Sequence, residues 1–142
     1  MPARVVVLAG PSGAGKSRLA ERLRRAHGWP TLRLDDFYKD GDDPSLPRIA
    51  FGPNHGLADW DDPASWHQQA AVAALLELCR TGRTDTPDYS IPQSRATGHQ
   101  VLDLAGSTVF CAEGIFADQV VAACRDAGVL AAAYCITQHP LV

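Results

Sequence analysis

Residues 10–17 read Gly-Pro-Ser-Gly-Ala-Gly-Lys-Ser and complete the phosphate-binding pattern G-x-x-x-x-G-K-[ST]. Glycines allow such a loop to curl so that its backbone N–H groups point inward at an anion. The Lys16 ammonium is expected to reach the β- and γ-phosphates of a nucleoside triphosphate, and the Ser17 hydroxyl is expected to bind Mg²⁺. The pattern therefore predicts a site for a nucleoside triphosphate and Mg²⁺. The residues expected to contact the nucleotide are Gly10, Pro11, Ser12, Gly13, Ala14, Gly15, Lys16, Ser17 and Arg18.

Carboxylates follow two of the predicted strands. Asp35 and Asp36 come after the short apolar segment 31–34, and Glu113 follows the apolar run 109–112. Ligands of open parallel sheets bind at the carboxyl ends of the strands, so these acids should lie beside the phosphate loop. Glu113 is expected to hold Mg²⁺ or its waters, unless it is a surface acid at a strand end. Asp35 is the better candidate for a base that accepts a hydroxyl proton, whereas Asp36 could equally be a capping acid.

The elements that must position these residues alternate along the chain. Apolar runs predict strands at 4–9, 31–34, 101–104, 108–112 and 130–136. Helical patterns cover 17–26, 62–80 and 115–127, the second with Asp62 as N-cap and Pro63 at the first helical position. Polar segments at 39–60 and 84–99 are expected to be irregular. This order predicts an α/β fold in three layers with a mainly parallel sheet.

Composition narrows the possible partners. The net charge of −3 gives no support for nucleic acid or an anionic membrane as a partner. Seven basic residues and one acid precede residue 34, whereas eight aspartates lie between 35 and 62, an asymmetry that suits phosphoryl transfer. The four cysteines form no metal-binding pair, so buried thiols are expected. At 142 residues, we expect one domain over residues 1–142, located in the cytoplasm and lacking a signal peptide.

Four motifs in order resemble the uridine kinase family of P-loop kinases, whose relatives include phosphoribulokinase and pantothenate kinase. The motifs are the phosphate loop at 10–17, Leu-Asp-Asp-Phe-Tyr at 34–38, Asp-Trp-Asp-Asp-Pro at 59–63 and Glu-Gly-Ile-Phe at 113–116. The resemblance spans residues 5–116. It implies the P-loop NTPase fold, ATP and Mg²⁺ as cofactors, and phosphoryl transfer to a primary hydroxyl of a nucleoside-like small molecule, with the oligomeric state left open.

The resemblance also assigns roles to individual residues. Asp35 matches the catalytic base and a Mg²⁺-associated acid, acting with Lys16 on the phosphates, and Glu113 matches the second metal-side acid. Asp61 matches a residue that binds the ribose hydroxyls. The aromatic or basic residues that match positions beside the nucleoside are Tyr38, Trp60, Tyr89 and Arg95. Alternative interpretations are that Trp60 anchors the core, that Asp61 is a second cap and that Tyr38 packs under the acidic loop.

The chain departs from the family pattern in two places. The base-reading segment resembles Y-D-[YF]-x-x-H-x-R, but residues 87–95 are one residue longer, begin with Pro87 and contain no His. Family members also continue after the strand at 130–136 into an arginine-rich lid, which we expect this chain to lack together with the final strand. We therefore expect a C-terminally incomplete fold. The alternative function is a nucleotide-binding module, or a truncated kinase with little activity.

Overall fold

The computed structural model describes residues 2–137. Within that range the strands are β1 (Arg4–Ala9), β2 (Thr31–Arg33), β3 (Arg83–Ser90), β4 (Arg95–Asp103), β5 (Val109–Gly114) and β6 (Leu130–Cys135). The α-helices are α1 (Lys16–His27), α2 (Gln68–Thr81) and α3 (Val121–Asp126). The segment 138–142, where the lid was expected to begin, lies outside the described residues.

Four strands form one parallel sheet in the order β2-β5-β1-β6. Successive residues of β1 point to opposite faces, as strand geometry requires. Val5 and Val7 pack with α2 and α3, whereas Val6 and Leu8 pack with α1. The sheet therefore lies between two helical layers, which confirms the predicted three-layer α/β fold.

Residues 84–99 were predicted to be irregular, and that prediction is wrong. They belong to an antiparallel hairpin of β3 and β4 that forms a second sheet. Thr84 and Thr86 are buried while Thr86 bonds across the hairpin to the Gln100 carbonyl at 3.4 Å. Alternating threonines thus supply a period-two pattern that an analysis of apolar residues misses. The strand predicted at 101–104 is only the end of β4.

Two helix boundaries also differ from the prediction. The Asp62 carboxylate accepts the Ala64 N–H at 2.8 Å, but it caps a 3-10 turn at Pro63–Ser65 rather than α2. Trp66 is then extended and forms a bridge with Tyr38, which delays the start of α2 to Gln68. The predicted helix at 115–127 is likewise divided into a 3-10 turn at Ala117–Val120 and the short α3.

The segment 39–60 is largely irregular, as predicted, and it is tied to the hairpin. The Gly41 N–H donates to the Ser94 carbonyl at 2.7 Å, and the Ala96 N–H donates to the Asp40 carboxylate at 2.9 Å. These bonds hold the hairpin over the segment that follows β2. In the described part of the chain, no helix has the length and apolar character needed to cross a membrane.

Candidate active site

The phosphate loop joins β1 to α1 and depends on glycine conformations. Gly13 and Gly15 have φ of 81° and 102°, in the region where side chains are strained. Gly10 has φ of 145°, and a Cβ there would lie 2.3 Å from the Ile136 carbonyl oxygen of the segment after β6. Glycine is therefore required at position 10 by backbone packing as well as by conformation. The loop lies at the N-terminal end of α1, where the helix dipole favours an anion.

A cavity of about 570 Å³ opens beside this loop. The Lys16 side chain is buried, and its ammonium donates to the Pro11 carbonyl of the loop itself at 2.7 Å. Two carboxylates from other elements complete the wall. The cavity is lined by Ser12, Gly13, Ala14, Gly15, Lys16, Ser17, Arg18, Asp35 and Glu113. The structure thus brings most of the predicted phosphate-site residues together, while Gly10 and Pro11 shape the loop behind them.

The two carboxylates are fixed by neighbouring strands. Glu113 is the penultimate residue of β5, in register with Leu8 of β1, and the Ser17 hydroxyl donates to its Oε1 at 3.4 Å. Asp35 lies in a 3-10 turn directly after β2, and its Oδ1 accepts the backbone N–H of Ile115 at 3.1 Å. The parallel pairing of β2 with β5 therefore places both acids at the same edge of the sheet, as the sequence predicted.

Burial and mutual repulsion act on both acids. Burial raises the pKa of Asp35, against the Ile115 N–H and the positive charges of Lys16 and Arg33. Burial and the Asp35 charge raise the pKa of Glu113, against the effects of Lys16, Arg33 and the Ser17 hydroxyl. Two partly desolvated carboxylates that repel each other are stabilised by a cation between them.

The donor set beside the loop fits Mg²⁺. One hydroxyl and two carboxylates supply hard oxygen atoms, and Mg²⁺ in such sites keeps water and phosphate oxygens as its other ligands. Among residues 2–137, no group of three or more His, Cys, Asp or Glu side chains forms a complete metal cage.

A second, smaller cavity of about 240 Å³ lies under the hairpin. The Tyr38 ring centroid lies 5.7 Å from that of Trp60 and 5.8 Å from that of Tyr89. Ile91 and Ser94 at the end of the hairpin complete the lining. Three aromatic residues that are distant in sequence therefore form one pocket, which is where the sequence predicted the acceptor.

The remaining predicted acceptor residues lie outside this lining. Asp61 is exposed, and its N–H donates to the Asp59 carboxylate at 3.2 Å. Its charge nevertheless acts on the pocket, because burial together with the charges of Asp35 and Asp61 raises the pKa of Tyr38. Arg95 is exposed and donates from Nε to the Gln93 side chain at 3.3 Å.

The structure resolves two of the alternatives and shows what the sequence missed. The tryptophan in the core is Trp66, 4% exposed, and the described cap is Asp62, so neither alternative applies to Trp60 or Asp61. Ser94 was not predicted, although it adopts a left-handed φ of 51° and lines the aromatic pocket. It lies within the segment 87–95 that was compared with the base-reading pattern, but that pattern specifies no residue type that matches Ser94.

Residues 5–104 match a family model described as an AAA domain. The chain is also 32% identical over 117 residues to a uridine kinase of Schizosaccharomyces pombe, an alignment that covers 80% of this chain. The chain belongs to the uridine kinase-like family of P-loop kinases. This membership and the parallel sheet confirm the family and fold that the four motifs predicted.

Further relatives limit what family membership says about the activity of this chain. An inorganic pyrophosphatase TTM2 of Arabidopsis thaliana is 28% identical over 113 residues, or 80% of this chain. The chain spans 25% of the yeast kinase and 15% of the plant protein. The solved structure of a possible uridine kinase from Bacillus stearothermophilus has a TM-score of 0.67 at 15% identity, covering 99% of this chain and 73% of that one. That likeness concerns the fold.

Proposed function

We propose that this chain is an ATP-dependent phosphotransferase that moves the γ-phosphoryl group to a primary hydroxyl of a nucleoside or a similar small molecule. One observation carries the proposal: a single short segment contributes to both cavities. Asp35 lines the phosphate cavity, and Tyr38, which directly follows the same 3-10 turn, lines the aromatic pocket. A carboxylate between a triphosphate and a hydroxyl acceptor is where phosphoryl transfer needs its base.

The phosphate cavity supplies the groups that position the nucleotide. Lys16 and the inward N–H groups of the loop bind the phosphates, and Arg18 adds positive charge at the rim. Ser17, Asp35 and Glu113 would hold Mg²⁺, which neutralises phosphate charge as it redistributes in the reaction. Binding in a fixed geometry removes much of the entropic cost of bringing the two reactants together.

Asp35 is positioned to take the proton. Its Oδ1 is fixed by the Ile115 N–H, and Oδ2 receives the proton of the acceptor hydroxyl as that oxygen bonds to the γ-phosphorus. The bond from the γ-phosphorus to the β–γ bridging oxygen breaks, and ADP leaves.

The acceptor is proposed to occupy the aromatic pocket, where Tyr38, Trp60 and Tyr89 contact its non-reacting part. Asp61 and Arg95 are proposed to contact polar groups of the acceptor from the rim. Residues 1–142 would act as one kinase domain. The alternative is a module that binds nucleotide without transfer, and one observation favours it: the cationic side chains lining the described phosphate cavity are those of Lys16 and Arg18.

The experiment is a panel of small alcohols incubated with ATP and Mg²⁺, with phosphorylated acceptor detected by mass spectrometry. Nucleosides, pantothenate and amino alcohols form the panel, and nucleotide affinity is measured separately by calorimetry. Formation of a phosphorylated alcohol supports the kinase. ATP binding without any phosphorylated product supports the module, and absence of ATP binding contradicts both.

A further inference from the structure

The acceptor pocket has walls made largely of aromatic rings. The Tyr38 ring is nearly perpendicular to that of Trp60, at an interplanar angle of 85°, and is tilted by 53° against that of Tyr89, so the three rings around the cavity lie in different planes. The faces of aromatic rings carry negative potential, and they attract a cation that lies within about 6 Å of the ring centroid.

Carboxylates reinforce this potential. Burial raises the pKa of Tyr38, and the charges of Asp35 and Asp61 add to that rise. Burial also raises the pKa of Tyr89, with a further contribution from Asp40. Asp40 is held in place because its Oδ1 accepts the Ala96 N–H at 2.9 Å. The five described residues that line the pocket include neither lysine nor arginine. A positive charge placed here would therefore meet aromatic rings and no cationic side chain among the five lining residues, while the acids lie outside that lining.

The lining is poorly suited to a neutral pyrimidine. A base edge carries several donors and acceptors, and each one left unpaired in a buried site costs binding. None of the five described lining residues has an amide or imidazole, and the Tyr89 hydroxyl already donates to the Lys39 carbonyl at 3.0 Å. Ile91 adds only apolar surface.

We propose that the acceptor is an amino alcohol, a primary alcohol whose other end is a quaternary or protonated amine held by Tyr38, Trp60 and Tyr89. This inference rests on the proposed phosphotransferase function and names the substrate class of its acceptor site. The cavity is large enough for a small amino alcohol. At about 30 Å³ per water-sized group, its 240 Å³ hold about eight such groups. Choline, a quaternary amino alcohol, has about seven non-hydrogen atoms.

The reaction balances without a further reactant. The alcohol oxygen bonds to the γ-phosphorus of ATP, the bond to the β–γ bridging oxygen breaks, and the hydroxyl proton passes to Asp35. The products are the phosphate ester of the amino alcohol and ADP. The amine keeps its positive charge throughout, so its contact with the rings holds the substrate without taking part in the chemistry.

The test compares choline with dimethylbutanol, its neutral analogue in which carbon replaces nitrogen, and with uridine. Calorimetry gives affinity and mass spectrometry detects product, both on the full chain with ATP and Mg²⁺. We expect choline to bind at least about tenfold more tightly than dimethylbutanol, because the two differ mainly in charge. Equal affinity of the two, or phosphorylation of uridine with none of choline, overturns this inference.

The same measurements separate this inference from the proposed function. Preferential binding of choline without phosphorylation of any alcohol supports a pocket that binds cations and contradicts the kinase function. Phosphorylation of uridine alone supports the kinase and contradicts the amino alcohol.

A pair of variants locates the effect. Trp60→Leu should reduce the preference for choline over dimethylbutanol to about threefold or less, because it removes one ring from the pocket. Trp29→Leu is the matched control, since Trp29 stacks on His27 with a centroid distance of 4.6 Å and lines no pocket described for this chain. It should retain the full preference, and loss of the preference in both variants contradicts a role for the Trp60 ring.

Discussion

The Asp35 carboxylate lies directly against Gly114, so closely that a Cβ on Gly114 would come 2.8 Å from the Asp35 Oδ1. The same Cβ would lie 3.0 Å from the Leu34 side chain. Gly114 ends β5, and the next residue, Ile115, donates its N–H to that Oδ1. The glycine after the buried acid of β5 therefore gives the carboxylate after β2 room to lie beside the phosphate loop.

Gly114→Ala should impair transfer while sparing nucleotide binding. The added methyl group has to push Asp35 from its position, and a displacement of about 1 Å in a catalytic group costs on the order of 10²-fold in rate. Steady-state kcat and calorimetric ATP affinity measure the two effects. Gly98→Ala is the matched control, because a Cβ at Gly98 meets nothing within 4 Å. Unchanged kcat in Gly114→Ala would show that the Asp35 position is not critical.

Tyr89→Phe should weaken acceptor binding. The substitution keeps the ring but removes the bond to the Lys39 carbonyl that ties the hairpin to the segment after β2. A typical hydrogen bond of this kind contributes about 1 kcal/mol, so the acceptor KM should rise severalfold while ATP affinity stays constant. Tyr134→Phe, on exposed surface of β6, serves as the control. A decrease in ATP affinity equal to that for the acceptor would contradict a local role for Tyr89.

The cysteines should differ sharply in reactivity. Cys79, Cys111 and Cys124 are buried, and burial raises the pKa of each thiol to about 11, whereas Cys135 is exposed. A raised pKa lowers the thiolate fraction at pH 8, and the thiolate is the form that reacts. Native protein treated with iodoacetamide should therefore take up one label rapidly, at Cys135.

Mass spectrometry of the labelled peptides checks this pattern, and unfolding in guanidinium should make all four cysteines reactive. Rapid native labelling of Cys111 would be inconsistent with its position in the core strand β5, where its side chain packs against the layer of α1.

The sequence predicted the sheet and the phosphate site because both depend on local patterns. The apolar run of β1 and the glycines of the loop determine conformation over a few residues, and parallel strands bring Asp35 and Glu113 to one edge. The aromatic pocket depends on contacts between Tyr38, Trp60 and Tyr89, which are distant in sequence, and the hairpin supplies Tyr89. The polar threonines of β3 give no apolar strand pattern, so neither the hairpin nor the position of Ser94 was predicted.

The start of α2 could not be predicted from the local sequence either. Asp62 and Pro63 are a genuine helix-initiating pair, and they do begin a 3-10 turn. The bridge between Trp66 and Tyr38 then holds the chain extended, and burial of Trp66 outweighs the preference for continuing the helix. Tertiary packing, which local sequence patterns do not reveal, determines where α2 begins.

The most direct test of the phosphotransferase proposal is transfer of labelled γ-phosphate from ATP to the preferred acceptor, measured in the wild type and in Asp35→Asn at matched nucleotide occupancy. The account predicts acceptor-dependent transfer in the wild type and a loss of about 10²- to 10⁴-fold in the variant, with ATP affinity within a few-fold of normal, because the phosphate loop is intact. Equal rates of transfer in the two proteins would contradict the role of Asp35 as the base.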